Sequence, residues 1–242
     1  MSRYKLTIEY NGKNFSGWQI QPDARTVEGE LEKAFSTILQ KEVDLIGQGR
    51  TDAGVHAIGQ VAHVDIDDVD DLQKLVFGAN GLVGSEVHIH SVEAVHPEFH
   101  ARFDAHSREY AYTILKTPSP LLDELSWTPS GEINGSLLLK CAELLDGEFD
   151  FSGFSKFNEE NYTTLCIIEK SVFEEYDNKW IYRIRANRFL RNMVRRIVGT
   201  MVEVSKEKVK LEDFEKLLKD PSADVKSFTA PAKALVLEKV FY

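Results

Sequence analysis

A glycine-rich stretch in the first half of the chain carries the residues with the clearest chemical potential. It reads GRTDAGVH over residues 49–56, with Asp52 between the two glycines and Arg50 two residues before it. Glycine allows backbone conformations that other residues rarely adopt and lets a ligand approach closely. A guanidinium beside a carboxylate favours its ionised form. The stretch therefore fits an active-site carboxylate, and it equally fits an ordinary turn in which Asp52 binds backbone amides.

Basic residues are concentrated in a later stretch, residues 180–210. Nine Lys or Arg and two Glu give this stretch a net charge of +7, in a chain whose formal net charge is −10. The apolar residues recur with helical spacing, which predicts a helix of about fifteen residues beginning near Arg188. Arg188, Arg191 and Arg195 share the other face with Gly199, which would leave room there for a bulky partner. A solvated amphipathic helix is the alternative interpretation.

Histidines and tyrosines supply two weaker candidates. His88 and His90 lie on one side of a predicted strand and could chelate a metal, but no carboxylate or cysteine stands at a recognised ligand spacing. We therefore expect them to face solvent and expect no metal. Tyr110 and Tyr112 share a strand face, where tyrosines usually pack in the core, although a tyrosine in a cleft can stack on a base.

Alternating and helical patterns indicate an α+β fold with largely antiparallel sheets. Helices are predicted at 27–39, 72–79, 137–145 and 211–219, in addition to the basic one, and Gly147 is a candidate terminator for the third. Strands are predicted at 3–10, 43–46, 60–64, 87–95, 110–114, 165–173, 180–186 and 235–241. We divide the chain into an N-terminal half, 1–105, with the Asp52 loop, and a C-terminal half, 106–242, with the tyrosine strand and the basic helix.

Composition limits the classes of protein that remain. The chain has 242 residues, 43% of them hydrophobic and 28% charged, which is typical of a globular protein. No apolar run is long enough for a bilayer span, and the first residues lack the apolar core of a secretion signal, so we expect a cytoplasmic protein. Cys141 and Cys166 form no paired motif. The acidic total argues against a general nucleic-acid binder, whereas the local positive charge favours one particular acidic partner.

Five motifs in order resemble the TruA family of tRNA pseudouridine synthases, over nearly the whole chain. They are YNGKNFSGWQ at 10–19, TVEGELEKAF at 26–35, GRTDAGVH at 49–56, FHARF with SREYAY at 99–112, and ANRFLRNMVRRIVG at 186–199. Two departures stand out, since Ala234 replaces a usual glycine and residues 153–170 match poorly, with added acid in NEEN at 158–161. The resemblance implies the pseudouridine synthase fold, with a mixed sheet, flanking helices and a central active-site cleft.

The resemblance also implies the site. Asp52 matches the family's catalytic aspartate, Tyr110 the tyrosine that packs on the target uracil, and Arg195 the arginine that pairs with the aspartate. Arg50, Arg188 and Arg191 are candidate RNA contacts. The family converts uridine to pseudouridine at positions 38, 39 and 40 of the tRNA anticodon arm, as a homodimer without cofactor or metal.

Two other classes of function are compatible with parts of the sequence. A catalytically silent RNA-binding or tRNA-folding protein needs only the arginine face, although the presence of Asp52 with Arg195 disfavours it. A metal-dependent hydrolase would be built on His88 and His90. Isomerisation of a base needs no hydride carrier, phosphate loop or metal, and this agrees with the motifs that the sequence contains.

Overall fold

The chain was studied as a computed structural model that describes residues 1–159, 161–220 and 224–242. Glu160, one of the added acids, lies outside these ranges. The described residues form nine strands: β1 Ser2–Tyr10, β2 Leu45–Gly47, β3 His56–Ile66, β4 Val87–Ala94, β5 Ser107–Leu115, β6 Gly147–Asp150, β7 Leu165–Glu175, β8 Lys179–Ala186 and β9 Leu235–Phe241. They also form five α-helices: α1 Val27–Leu39, α2 Leu72–Val83, α3 Gly135–Glu143, α4 Met193–Ser205 and α5 Leu211–Lys219.

Contacts divide the chain into two compact units. The first contains Met1–His106 together with Val236–Tyr242, and the second contains Ser107–Leu235. The sequence division had placed the last strand in the second half. In the structure β9 pairs in parallel with β3, opposite His56 and Ala57, so nearly all of it belongs to the first unit.

The first unit is a sheet covered by two helices. Its strands lie in the order β4-β1-β3-β9, with β2 also paired to β3, and apart from β9 their pairings are antiparallel. The predicted alternation in β1 is confirmed, since Tyr4, Leu6, Ile8 and Tyr10 are buried. Helix α1 begins as predicted after Thr26, whose hydroxyl accepts a hydrogen bond from the Gly29 amide and satisfies one of the free donors of the first turn.

The second unit is an antiparallel sheet in the order β5-β8-β7-β6, with α3 and α5 packed against its strands and α4 packed against these two helices. Helix α4 is buried on most of its surface, including Ile197, Val198 and Met201. None of the described helices is both long and apolar enough to cross a membrane.

Three helices have boundaries that differ from the prediction, and the first of them, α2, extends to Val83 instead of ending at residue 79. The basic helix begins at Met193, because Asn192 adopts a left-handed conformation with φ 61°, which ends any helical path from Arg188. Residues 187–192 therefore form a loop. Helix α3 ends at Glu143 without Gly147, which instead opens β6 with φ 109°.

Candidate active site

The Asp52 loop, defined here as residues 48–55, connects β2 to β3 in the first unit. Asp52 is partly exposed, and its carbonyl oxygen accepts a hydrogen bond from the Val55 amide at 3.1 Å, which closes a tight turn. Gly54 sits inside this turn with φ 76°, a conformation that favours glycine. A tight turn is thus present at Asp52, and the Asp52 residue within it is partly exposed.

A second segment, residues 12–18, forms backbone hydrogen bonds with the Asp52 loop. The Trp18 amide donates to the Thr51 carbonyl at 3.2 Å, and the Gly54 amide donates to the Phe15 carbonyl at 3.4 Å. Phe15 and Trp18 are buried, so both ends of this support are anchored in the core. The Asp52 loop is therefore held by backbone hydrogen bonds to a neighbouring segment.

Glycines make this close packing of two backbones feasible. A Cβ at Gly12 would stand 2.0 Å from the Val55 carbonyl oxygen, and one at Gly17 would stand 2.6 Å from the Thr51 carbonyl oxygen. Gly17 also has φ 101°. Both glycines belong to the YNGKNFSGWQ motif at residues 10–19. Because glycine permits close approach of another backbone, the two glycines were the signal in the sequence for such a contact.

Tyr10 fixes the residue next to Asp52. Its buried hydroxyl forms a 2.8 Å hydrogen bond with the hydroxyl of Thr51. At the other end of the loop, the Gly12 amide donates to Nδ1 of the buried His56 at 3.1 Å. Sequence reasoning missed these positioning roles, because each partner lies more than forty residues away along the chain.

Arg50 is exposed on the same loop, and its charge acts on Glu28 at the start of α1. The Glu28 carboxylate accepts hydrogen bonds from Trp18 Nε1 at 3.0 Å and from the Ile20 amide at 2.8 Å. Burial raises the pKa of Glu28 above its ordinary value, while these hydrogen bonds and the charge of Arg50 act in the opposite direction. The structure thus gives Arg50 an acidic neighbour beyond the Asp52 loop.

Tyr110 lies on β5 in the second unit, opposite Ile184. Only 9% of the residue is exposed, and its ring packs edge-to-face on Phe189 with centroids 5.1 Å apart. Tyr112 is fully buried, and its hydroxyl donates to the Pro231 carbonyl at 2.9 Å, so burial raises the pKa of that hydroxyl. Tyr112 is a core residue, whereas Tyr110 lies beside the loop that leads to α4.

Arg195, in the first turn of α4, is held by directed hydrogen bonds. Its Nε donates to the Ala230 carbonyl at 2.8 Å, and its Nη1 donates to the Asn192 side-chain oxygen at 3.2 Å. The Ala230 amide in turn donates to the Arg195 carbonyl at 2.9 Å. These contacts hold the guanidinium in place within the second unit, while Asp52 belongs to the first.

Arg188 and Arg191 lie in the loop before α4, so they are not part of a helical face as predicted. Arg188 is partly buried near Cys166; burial raises the pKa of that thiol to about 12, and the arginine charge opposes the rise. Arg191 is exposed, and its carbonyl accepts from the Lys156 amide at 3.0 Å.

The predicted role of Gly199 is wrong. It is buried, and a Cβ there would stand 2.2 Å from the Phe228 carbonyl oxygen. The space beside this glycine is filled by the chain's own backbone, which crosses α4 at residues 228–230. Gly199 therefore packs the second unit and leaves no room for a ligand.

The histidine pair faces solvent, as the strand pattern suggested. His88 and His90 are exposed with ring centroids 4.9 Å apart, and His90 Nε2 lies 2.9 Å from a carboxylate oxygen of Glu9. Within the described part of the chain, no three His, Cys, Asp or Glu side chains are grouped so that they could hold a metal ion.

Comparisons with known proteins identify the class. A family model described as tRNA pseudouridine synthase matches residues 6–104 and 141–242. The chain is 39% identical to tRNA pseudouridine synthase A of Bacteroides thetaiotaomicron, over 100% of this chain and 91% of that protein. It is 38% identical to the protein of the same name from Chlorobaculum tepidum, over 98% and 97%.

The chain belongs to the tRNA pseudouridine synthase family, and it is an isomerase. The predicted family, enzyme class and α+β pseudouridine synthase fold are thereby confirmed. A chain in the crystal structure of a Cbf5-Nop10-Gar1 complex is a remote structural match, with a TM-score of 0.41 and 9% identity over 96% of this chain and 57% of that one. A similarity of that size assigns neither substrate nor site.

Proposed function

We propose that this enzyme converts uridine to pseudouridine at positions 38, 39 and 40 of the tRNA anticodon arm, with Asp52 as the catalytic carboxylate. The observation that carries the proposal is the support of the Asp52 loop, because the Trp18 and Phe15 backbones fix the turn on which Asp52 is displayed. A reactive side chain on a preorganised turn needs little reordering before reaction. The matches over the full chain supply the class of reaction.

The reaction accounts for the type of residue. The bond between uracil N1 and the ribose breaks, the base turns, and C5 bonds to the anomeric carbon; C5 then loses its proton and N1 gains one. Atoms and electrons balance without an oxidant, a reductant or water. One carboxylate serves this chemistry by taking a proton from the ribose, by adding to the anomeric carbon or by attacking the base. These three roles of Asp52 remain alternatives.

Tyr110 and Arg195 complete the proposed site. The uracil must leave its stack to react, and an aromatic ring can offset part of the few kcal/mol that unstacking costs. We assign that platform to Tyr110, whose ring is already set edge-on against Phe189. Arg195 would keep Asp52 ionised once the base excludes water. Its anchorage on the Ala230 carbonyl supports this assignment, because a positioned guanidinium loses little side-chain entropy on pairing.

Arg50, Arg188 and Arg191 are the proposed RNA contacts, and no cofactor or metal takes part. Arg50 and Arg191 are exposed and Arg188 is partly so, which leaves each accessible to a phosphate. We further propose that the enzyme acts in the cytoplasm as a homodimer, in which positive surface from two acidic chains lies along one tRNA. Light scattering that shows a stable monomer at working concentrations would contradict the dimer.

The test incubates unmodified tRNA with the wild type, with Asp52→Ala and with Asp70→Ala as a matched control, and maps pseudouridine along the anticodon arm. Asp70 is an exposed aspartate of the same unit with no assigned role. We expect product at 38–40 from the wild type and Asp70→Ala, and none from Asp52→Ala. Product at other positions would refute the site specificity, and tRNA binding without product by the wild type would favour a silent RNA-binding protein.

A further inference from the structure

A short loop of the first unit, residues 99–104, exposes an aromatic and a cationic side chain together. Phe103 is 74% exposed, and Arg102 beside it is also exposed. The Arg102 guanidinium carbon lies 5.8 Å from the centre of the Phe103 ring. The His100 ring also packs on Phe103, with ring centroids 4.2 Å apart and planes 36° apart. We name His100, Arg102 and Phe103 the Phe103 platform.

Hydrogen bonds from outside the loop hold its backbone in place. The Ala101 amide donates to Nδ1 of the buried His63 at 3.2 Å, and the Ala101 carbonyl accepts from the Tyr242 hydroxyl at 2.7 Å. The Phe99 carbonyl accepts from Arg3 Nη1 at 2.8 Å. Arg3 on β1, His63 on β3 and Tyr242 thus hold the backbone of the loop that exposes Phe103.

Contacts inside the loop add to this rigidity. The His100 amide donates to the Asp104 carboxylate at 2.8 Å, and the Arg102 amide donates to His100 Nδ1 at 3.2 Å. His100 also packs on the ring of His63, with centroids 4.8 Å apart. A loop that is already ordered loses little conformational entropy when a ligand binds, so an exposed phenylalanine here is well placed to contribute to binding.

We propose that the Phe103 platform is a second contact with the RNA substrate, in which Phe103 stacks on an unpaired base and Arg102 binds a neighbouring phosphate. Stacking on aromatic side chains is a general means of holding unpaired bases, and arginine suits both phosphates and base faces. For its ligand the inference depends on the proposed function, which names tRNA as the substrate.

A protein partner fits this surface less well. A specific protein interface buries about 800 Å² on each side around an apolar centre. Phe103 instead stands between two charged, exposed residues in the chain, Arg102 and Asp104. A single exposed ring beside Arg102 offers too little apolar area for such a centre, and it matches one base beside a phosphate better than it matches a protein surface.

The experiment compares the affinity for unmodified tRNA of the wild type, Phe103→Ala, Phe103→Trp and Phe77→Ala. Phe77 is the matched control, because it is 82% exposed on α2 in the same unit. We expect Phe103→Ala to weaken tRNA binding roughly five- to thirtyfold, Phe103→Trp to retain binding, and Phe77→Ala to bind as the wild type does. On a blunt RNA duplex without unpaired bases, Phe103→Ala and the wild type should bind alike.

Three results would overturn the platform: unchanged tRNA affinity in Phe103→Ala, an equal loss in Phe77→Ala, or an equal loss on the blunt duplex. A change in self-association with no change in tRNA affinity would point to a protein interface instead. Failure of the proposed function can be distinguished from failure of the platform, because in that case the wild type would form no pseudouridine. Unfolding temperatures of all four proteins report whether a variant has simply lost its fold.

Discussion

The Asp52 loop and the arginine segment, residues 188–196, are positioned by opposite means. The position of the Asp52 loop requires residues without a side chain at Gly12 and Gly17, because only glycine lets that backbone pack directly against the loop. The arginine segment depends on a side chain that is present, because Arg195 reaches across to the Ala230 carbonyl. Adding one carbon should therefore damage the first region, and shortening or replacing a side chain should damage the second.

The largest expected effect is that of Gly17→Ala. The alanine would have to keep φ 101° with its Cβ 2.6 Å from the Thr51 carbonyl oxygen. We expect the free energy of unfolding to fall by about 2–4 kcal/mol from strain and overpacking, with loss of activity as the Asp52 loop shifts. Denaturant unfolding and pseudouridine assays measure the two effects.

Gly49→Ala is the matched control for that change, since a Cβ at Gly49 meets no atom within 4 Å. We expect its stability to remain within about 0.5 kcal/mol of the wild type. Equal destabilisation by the two substitutions would contradict the view that the loop is held by close backbone packing at Gly17.

Acid should destabilise the first unit more than the second. Burial, followed by the charges of Arg3 and His100, lowers the pKa of His63 to about 4. The neutral ring stabilises the fold fully above pH 6.5, and this contribution is lost progressively as the pH falls from 6.5 to about 4, on the order of 3 kcal/mol in total. All seven histidines belong to the first unit, so the effect should be confined there.

Hydrogen–deuterium exchange at pH 7 and pH 5 tests this difference. We expect amides of β1 and β3 to lose more protection at pH 5 than those of β5 and β8, and His63→Gln to reduce the change. Equal loss in both units, or a loss that His63→Gln leaves untouched, would count against His63 as the cause.

Arg195→Lys should act in the second unit with a smaller effect. Lysine keeps the charge but cannot reproduce the hydrogen bonds to Ala230 and Asn192, so we expect a loss of about 1–2 kcal/mol in unfolding free energy. The rate at saturating tRNA should fall more than the affinity does, because charge for phosphates is retained. The exposed Arg191→Lys is the control, and a comparable loss of stability in it would remove the distinction.

Arg191→Gln should have the smallest effect, on binding alone. Release of counterions from phosphate makes tRNA affinity fall with salt, and removing one phosphate contact should reduce the slope of log affinity against log salt by about 1. Titrations from low to moderate salt measure it. An unchanged slope would remove Arg191 from the RNA contacts.

Patterns in the sequence correctly predicted the structural features that depend only on residues close together in the chain. The alternation in β1 and the Thr26 cap of α1 depend on neighbouring residues only, and both were found as predicted. The start of α4 was misplaced, because Asn192 leaves the helical region and no periodicity reports that.

The partners of the glycines could not be predicted for a different reason. Gly199 meets Phe228, and Gly17 meets Thr51, through contacts between segments that are about thirty residues apart. A single sequence marks such a glycine as permissive, but only the fold shows what approaches it. The glycine-rich sequence around Asp52 was enough to make it a candidate catalytic residue. The contacts of Tyr10, Gly12 and Gly17 with its loop were visible only in the structure.

The most direct test of Asp52 is a single-turnover assay of Asp52→Asn with unmodified tRNA in the presence of excess enzyme. Asparagine preserves the size of the side chain and its place on the turn but removes the carboxylate. We predict tRNA binding within about threefold of the wild type and a rate of pseudouridine formation at least roughly 10⁴-fold lower. Formation of pseudouridine by Asp52→Asn at the wild-type rate would contradict the assignment of Asp52 as the catalytic carboxylate.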